Sequence, residues 1–246
     1  MGQVKRKIII SGLVVLFMSI LVGGNITAGT SNKDRLSSTV VIYQESERGI
    51  TPYMTRYIVN NSYMRIDDGK PGTGFVLLDR KKETIYSVSV ENESILLIKK
   101  KSMTLKKPSK LQTTVTSKKA PEKLTLEGRR AQEFDITVNN KPCMKNMTVT
   151  GVLPDFVSAL KQYRAILATQ HASNLYKTPL NMRNKCFMAY DIFQHSLHTA
   201  HGIIVHSLRE DGKRSILRDY KRKQQAAASL FVLPAKYKQF TAGQVP

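Results

Sequence analysis

Hydrophobic and polar residues alternate in short runs between residues 53 and 98, and polar turn residues separate the runs. The turns carry Asn-Asn, Asp-Gly and Glu-Asn-Glu, while β-branched, aromatic and aliphatic residues dominate the runs. Runs of this length and spacing predict strands joined by tight turns in an antiparallel meander. The five predicted strands are 53–59, 63–67, 74–78, 84–90 and 94–98.

The same pattern predicts strands on both sides of this meander. One precedes it, and the later ones follow a lysine-rich stretch that contains a candidate edge strand. Asp211 and Gly212 favour a hairpin turn between two of the later strands. The chain ends with a predicted helical turn over residues 234–240. The predicted strands are 38–45, 111–116, 125–138, 143–149, 186–193, 202–208, 215–220 and 229–233.

The hydrophobic period changes from two to about 3.6 after residue 153. Pro154 suits the first turn of a helix, and Asp155 suits its positive end. Phe156, Leu160 and Tyr163 then recur at intervals of four and three residues. This spacing predicts one amphipathic helix over residues 154–172, with its apolar face against a sheet.

These elements predict a mainly β protein with some α-helix, of the α+β class. A long meander cannot bury both faces without curving or recruiting a cover, and only one helix is available. We therefore expect a curved antiparallel sheet or half-barrel that is covered by one main helix.

The alternation in strand 84–90 gives it one aromatic and branched face, which includes Tyr86 and Val88. Together with the apolar face of the helix, this face is predicted to enclose an apolar ligand. Ordinary core packing would explain the same residues without a ligand. The predicted ligand-binding residues are Tyr86, Val88, Phe156, Leu160 and Tyr163.

The first 28 residues have the features of a secretory signal peptide. Lys5, Arg6 and Lys7 precede an apolar run of about 16 residues, and small residues around Ala28 favour cleavage. Retention as a membrane anchor is the alternative, although the run is shorter than the roughly 20 residues of a membrane span. We expect a signal peptide at 1–28, a single β domain at 29–246, and export to the periplasm.

The charge balance points to anionic partners. Removing residues 1–28 removes three of the 39 basic residues and none of the 18 acidic ones, so 36 remain against 18. Export makes nucleic acid an unexpected partner and favours anionic membrane surfaces or other anionic envelope components. The alternative is that the charge only keeps the protein soluble.

The excess of positive charge is concentrated in residues 99–123, which hold nine lysines and a single acidic residue, Glu122. Lysine on an edge strand prevents pairing with other chains, which is one explanation for this composition. A basic surface that faces an anionic partner is the other.

Cys143 and Cys186 are the only cysteines, and they flank the predicted helix. An even number of cysteines in an exported domain favours a disulfide between them, with two buried thiols as the alternative.

Catalytic and metal-binding motifs are not evident. His195, His198, His201 and His206 are close in sequence, but metal ligation requires that they converge on one point. The chain contains neither G-x-S-x-G nor H-E-x-x-H. We predict no catalytic residue, no metal site, no cofactor and no enzymatic activity.

Several segments resemble exported bacterial proteins with the LolA/LolB lipoprotein-carrier fold. The resemblance rests on residues 63–67, on the hairpin from Asp79 to Tyr86, on the Leu-Pro-Asp-Phe start of the helix and on the ending 231–237. It implies a strongly curved antiparallel sheet that wraps helices and holds acyl chains. No individual binding residue is carried over from it.

Two functions follow as hypotheses. The first is a periplasmic binding protein for an apolar ligand, namely a lipid or a lipoprotein acyl chain. The second is a basic scaffold that binds anionic envelope components by charge. A carrier needs an open apolar cavity, whereas a scaffold would fill that space with side chains.

Overall fold

Fourteen strands and one long helix dominate the part of the chain that the computed structural model describes, residues 34–175 and 177–243. These residues belong to one compact unit. The predicted signal peptide lies outside them. Within the described ranges, no helix combines the length and the apolarity needed to cross a bilayer.

The strands occupy both sides of the long helix in sequence. In chain order they are β1 (Arg35–Glu47), β2 (Ile50–Val59), β3 (Tyr63–Asp67), β4 (Phe75–Asp79), β5 (Thr84–Ser89), β6 (Ser94–Lys99), β7 (Thr113–Lys119), β8 (Thr125–Leu126), β9 (Arg129–Arg130), β10 (Gln132–Val138), β11 (Lys141–Val149), β12 (Ile203–Arg209), β13 (Arg214–Ala227) and β14 (Lys238–Thr241).

Twelve of these strands form one curved, open sheet in the order β14-β6-β5-β4-β3-β2-β1-β13-β12-β11-β10-β7, and β8 pairs with β9 separately. The β6–β14 pair is parallel, and the other strand pairs are antiparallel. The chain is thus mostly β with one main helix, and the predicted α+β class is confirmed. The predicted edge position of the lysine-rich strand, β7, is also confirmed.

Aspartates fix the turns of the meander by accepting hydrogen bonds from the backbone. Asp67 accepts from the amide of Gly69 at 3.0 Å, and Asp79 accepts from the amide of Lys82 at 2.9 Å. Gly69 has a φ of 80°, which glycine adopts without strain. Since the turns set the register, each strand presents a defined set of side chains to each face.

The long helix, α1 (Pro154–Leu175), packs against β1, β2, β5 and β6. Phe156, Ala159 and Ile166 are buried on one side of the helix, as the predicted 3.6-residue period requires. We call the sheet face under α1 the inner face and the opposite one the outer face. The main core lies on the inner face, where residues of both layers such as Val41, Leu78 and Phe156 pack together.

The predicted strand at 186–193 is wrong, because these residues are helical. They form α2 (Lys185–Phe187) and a π-helical turn (Met188–Phe193), and a 3-10 turn (His195–His198) follows. The Asn184 side chain accepts a hydrogen bond from the amide of Phe187, which satisfies the start of the helix. Cys186, Ala189 and Tyr190 are buried at the three- and four-residue spacing of a helix. We call residues 185–198 the 185–198 segment.

The predicted order of the last two elements is also wrong. Residues predicted as the final strand form a 3-10 turn (Ala228–Phe231), and the predicted helical turn contains β14 instead. Phe231 packs on Ile58 and Leu77 of the outer face, so this apolar run covers the sheet instead of joining it. The predicted strand 125–138 is broken into β8, β9 and β10 because Glu127 and Gly128 turn with positive φ.

Candidate functional site

The three predicted binding residues of α1 lie in the core between helix and sheet. Phe156 is only 1% exposed, while Leu160 and Tyr163 are partly buried against the same cluster. The Phe156 ring contacts the Tyr57 ring edge-on, with 5.3 Å between centroids, and lies 6.2 Å from the Tyr43 ring. Side chains therefore fill the space between the N-terminal half of α1 and the sheet.

The two predicted binding residues of β5 lie on the other face of the sheet. Ile85 packs in the inner-face core, whereas Tyr86 packs against the outer-face cluster around Phe231. Val88 is two residues further along the strand, so it shares the face of Tyr86. The structure therefore does not bring the five residues together on one surface.

One small cavity remains beneath α1, where Phe156 and Leu160 form part of its wall. Its volume is about 140 Å³. Unlike a site for an apolar chain, it is bordered by charged side chains, including Glu45, Arg164 and Lys213. A space of this size and polarity suits a few water molecules.

A buried ionic cluster lies next to this cavity and joins three elements. Asp191 of the 185–198 segment lies 3.2 Å from Arg164 of α1 and 3.4 Å from Arg209 of β12. The Nε2 atom of His198 lies 3.2 Å from the same carboxylate, and the Arg209 guanidinium is 5.0 Å from the Tyr190 ring. The cluster thus attaches the 185–198 segment to both the helix and the sheet.

Burial changes the titration of this cluster. It lowers the pKa of His198 from 6.5 to about 4, and the positive charge of Arg164 acts in the same direction. Burial raises the pKa of Asp191, but the hydrogen bond with His198 and the two arginine charges outweigh it, so that this pKa is lowered overall. At neutral pH the histidine is therefore neutral and the carboxylate is charged. A fully paired carboxylate of this kind holds elements together, and such pairing does not by itself indicate catalysis.

An apolar groove lies at the other end of α1, where the helix meets the β6–β14 edge of the sheet. Its volume is about 480 Å³, within the range of small-molecule sites. Leu96 and Phe240, both large apolar residues, are 40% and 43% exposed there. The groove is lined by Leu96, Ile98, Leu167, Gln170, His171, Asn174, Phe240, Thr241, Ala242 and Gly243.

The predicted disulfide is confirmed. Cys143 of β11 is bonded to Cys186 of the 185–198 segment, with 5.4 Å between their Cα atoms. Glu210 Oε2 lies 2.8 Å from Cys186 Sγ. Among the described residues, these three side chains form a group of possible metal ligands that lie close together. The two sulfur atoms are bonded to each other, however, so they provide no thiolate for a metal.

The four histidines that are close in sequence lie in different environments. His195 and His198 occupy one helical turn, where His198 pairs with Asp191. The His201 ring is stacked on Phe134 at 3.7 Å, and His206 belongs to β12. Each histidine thus has a separate environment among the described residues.

Sequence reasoning missed the groove and the ionic cluster. Leu167 follows Tyr163 by four residues and so continues the predicted apolar face of the helix, and Leu96 lies in a predicted strand, but nothing in the sequence pairs them. The sequence predicts a helical turn around Phe240, whereas β14 runs parallel to β6 and pairs Phe240 with Leu96. The ionic cluster draws its charged residues from three elements that are separate in sequence, which leaves no local signal.

These features define an α+β protein with a curved open sheet, one covering helix and an apolar groove at the end of that helix. No protein-family model matches the chain, and neither does any curated protein. Among solved structures it is similar to an uncharacterised conserved protein from Thermus thermophilus, with 10% identity, a TM-score of 0.43, and coverage of 85% of this chain and 92% of that one.

Two further structures are similar over most of this chain. PNGF-II has 12% identity and a TM-score of 0.42, and the match covers 84% of this chain but 32% of PNGF-II. A LolA superfamily protein from Nitrosomonas europaea has 7% identity and a TM-score of 0.26, with 82% and 91% covered. The LolA likeness is thus weak, and these scores support no statement about function.

Proposed function

We propose that the protein binds a single apolar chain, such as a lipid or lipoprotein acyl chain, in the groove between α1 and the β6–β14 edge. The observation that carries this proposal is the exposure of Leu96 and Phe240 on the walls of a groove of about 480 Å³. Large exposed apolar residues that line a common groove are typical of binding sites. The activity is binding, without a catalytic step.

The packing beneath the N-terminal half of α1 supports this position for the ligand over the one predicted from the sequence. The N-terminal half of α1 is packed against the sheet through Phe156 and Ala159, and the cavity beside it is small and bordered by charges. The groove offers more space and apolar walls. The bound apolar chain would therefore lie along Leu96, Ile98 and Leu167. The five binding residues predicted from the sequence would instead contribute to packing.

Export to the periplasm is part of the proposal. A disulfide is typical of exported proteins. Removal of residues 1–28 would release the β domain into this compartment.

Native mass spectrometry and lipid extraction of the protein from cell envelopes test the proposal, together with titration of a fluorescent fatty acid. We expect bound lipid, and we expect Leu96→Glu to weaken fatty-acid binding at least about tenfold, since the charge would have to be desolvated. Val232→Glu is the matched control, because Val232 is exposed outside the groove. Absence of lipid together with no fatty-acid binding, or equal binding by both variants, would refute the proposal.

A second function is favoured by the exposure of the lysines between residues 99 and 123. Eight of the nine are exposed, and only Lys101 is partly buried. They lie on β7, at the end of β6, and in the connections around them. We infer that this basic surface contacts anionic envelope components, which is compatible with lipid binding in the groove.

A further inference from the structure

We propose that the ligand of the groove carries an uncharged acyl linkage, an ester or an amide, at the end of its alkyl chain, and that Gln170 binds this linkage. The inference rests on the proposed function, because it assumes that an apolar chain occupies the groove. It adds the chemical class of the ligand and the residue that recognises it.

Gln170 is a buried polar residue in the wall of the groove. It is 8% exposed and lines the groove together with Leu167, which precedes it by about one helical turn. The neighbouring hydroxyls of Thr169 and Ser173 donate to the backbone carbonyls of Ile166 and Gln170. Among the described residues, the side-chain amide of Gln170 has no hydrogen-bond partner. Buried polar side chains are normally hydrogen-bonded, so this amide is available to a ligand in the groove.

The wall that α1 contributes to the groove changes from apolar to polar along the helix. Its lining residues are spaced by three and four positions and therefore share one face, namely Leu167, Gln170, His171 and Asn174. Asn174 is exposed and lies about one turn beyond Gln170, towards the end of the helix. An alkyl chain would thus lie against Leu167, and the polar group at its end would lie against Gln170.

The groove offers no countercharge to an ionised ligand. Within the described part of the chain, its lining contains no lysine, arginine, aspartate or glutamate. Burial lowers the pKa of the lining residue His171 from 6.5, so its imidazole is neutral at neutral pH. An ionised carboxylate would lose its hydration here without gaining a partner of opposite charge. An ester or amide carbonyl carries no charge and accepts a hydrogen bond from the Gln170 amide.

Two other roles for Gln170 compete with this inference. In the first, water in the groove satisfies the amide, which then takes no part in the choice of ligand. In the second, Gln170 only shapes the wall for any apolar chain. Removal of the amide would leave all affinities unchanged in the first case and weaken all ligands equally in the second. Recognition of the linkage would weaken only the ester and the amide.

Displacement of a fluorescent fatty acid by four ligands of similar length separates these roles. The ligands are methyl dodecanoate, N-methyldodecanamide, dodecanoic acid and tetradecane, and the protein is purified from cell envelopes and stripped of lipid. At about pH 8 the acid is ionised and His171 is neutral. We expect the ester and the amide to bind at least about tenfold more tightly than the acid. An acid that binds as tightly as both neutral ligands would overturn the proposed class.

Gln170→Met keeps the length of the side chain and removes the amide. Each ligand is compared with itself in the two proteins, so that differences in solubility cancel. We expect the variant to bind the ester and the amide about tenfold more weakly and tetradecane equally well. Gln162→Met is the matched control, because Gln162 lies on the same helix outside the groove, where it accepts a hydrogen bond from Arg80. This control should keep the affinities of the unaltered protein.

Unchanged binding of the ester and the amide by Gln170→Met, or an equal loss of all four ligands, would overturn the inference. Either result would leave the groove as a binding site. Failure of all four ligands to bind the unaltered protein would instead reject the proposed function itself.

Discussion

The fold changes the titration of His198 by burying its imidazole. Its imidazole is surrounded by Asp191 of its own segment, Arg164 of α1 and Arg209 of β12, and it lies edge-on to the Tyr190 ring at 5.5 Å. Burial keeps it neutral, with a pKa of about 4. Its environment therefore couples the stability of the protein to pH.

We predict that acidification from pH 6.5 to 4 destabilises the protein through His198. In this range the unfolded chain binds a proton that the folded protein does not, so the free energy of unfolding falls as the pH falls. A pKa lowered from 6.5 to about 4 corresponds to about 3 kcal/mol. The folded protein also lowers the pKa of Asp191. The stability contributed by this carboxylate is therefore lost only when the pH falls below about 3.9, the pKa of an aspartate in the unfolded chain.

Urea unfolding of the protein and of His198→Asn at several pH values measures this effect. The variant should lose less stability than the unaltered protein between pH 6.5 and 4. Both proteins should still become less stable on acidification, because burial also lowers the pKa of His171, His201 and His206. Identical pH profiles would contradict the assignment to His198.

Phe156 illustrates how a predicted binding residue can be a core residue. It is 1% exposed and contacts the rings of Tyr43 and Tyr57. We predict that Phe156→Ala lowers the free energy of unfolding by about 3–5 kcal/mol, because it leaves a cavity in a packed core. Urea denaturation checks the loss, and a fatty-acid titration of the folded variant should match the unaltered protein. A stable variant that no longer binds fatty acid would instead make Phe156 a ligand contact.

Among the elements, the 185–198 segment depends on links to its neighbours. It is joined to β11 through the Cys143–Cys186 disulfide and to α1 and β12 through Asp191. Short helical turns have little stability of their own, so these links determine where the segment lies.

We predict that removing the disulfide costs up to about 4 kcal/mol, the chain-entropy value for a loop of 43 residues. Unfolding of the Cys143→Ser/Cys186→Ser variant should show this loss, and reductant should destabilise the unaltered protein by a similar amount while leaving the variant unchanged. Non-reducing peptide mapping should recover the linked pair from exported protein. Two freely alkylated thiols in unreduced protein would contradict this prediction.

At the scale of the whole molecule, we predict that the chain is exported and cleaved after Ala28. The charged start, the short apolar run and the small residues near the cleavage site favour this processing. Mass spectrometry of protein from the envelope should find Gly29 at its N-terminus. An intact Met1 terminus in the membrane pellet would instead indicate retention as an anchor.

We also predict binding to vesicles that contain an anionic phospholipid, with an affinity that falls as salt is raised. Each lysine near a charged surface contributes on the order of 1 kcal/mol. Changing Lys106, Lys107 and Lys110 to Gln should therefore weaken binding strongly.

The matched control changes three exposed lysines outside residues 99–123 to Gln, namely Lys221, Lys223 and Lys236. It alters the net charge by the same amount and should weaken binding less. Equal losses in the two triple variants, measured by vesicle flotation, would show that only net charge matters.

Local chemistry was sufficient to predict much of this fold. Strands β2 to β6 and helix α1 follow directly from hydrophobic period, turn residues and caps, because each is determined within about ten residues of sequence. The disulfide could also be predicted, since two cysteines allow a single intramolecular pair.

Local chemistry was insufficient where contacts with distant residues choose between two structures. Residues 186–193 are apolar enough for a buried strand, yet the sheet and α1 bury them as helical turns. Phe231 and Phe240 exchange their predicted roles for the same reason, as one covers the outer face and the other joins the edge.

The sequence by itself therefore determined the class of fold, the position of its main helix and its strong positive charge. Only the tertiary structure decided which face of each strand α1 covers, and hence that Tyr86 and Phe156 lie apart while Leu96, Leu167 and Phe240 meet in a groove. The physical reason is that alternation gives every strand two faces, and the choice between them is made by the layer that packs on the sheet.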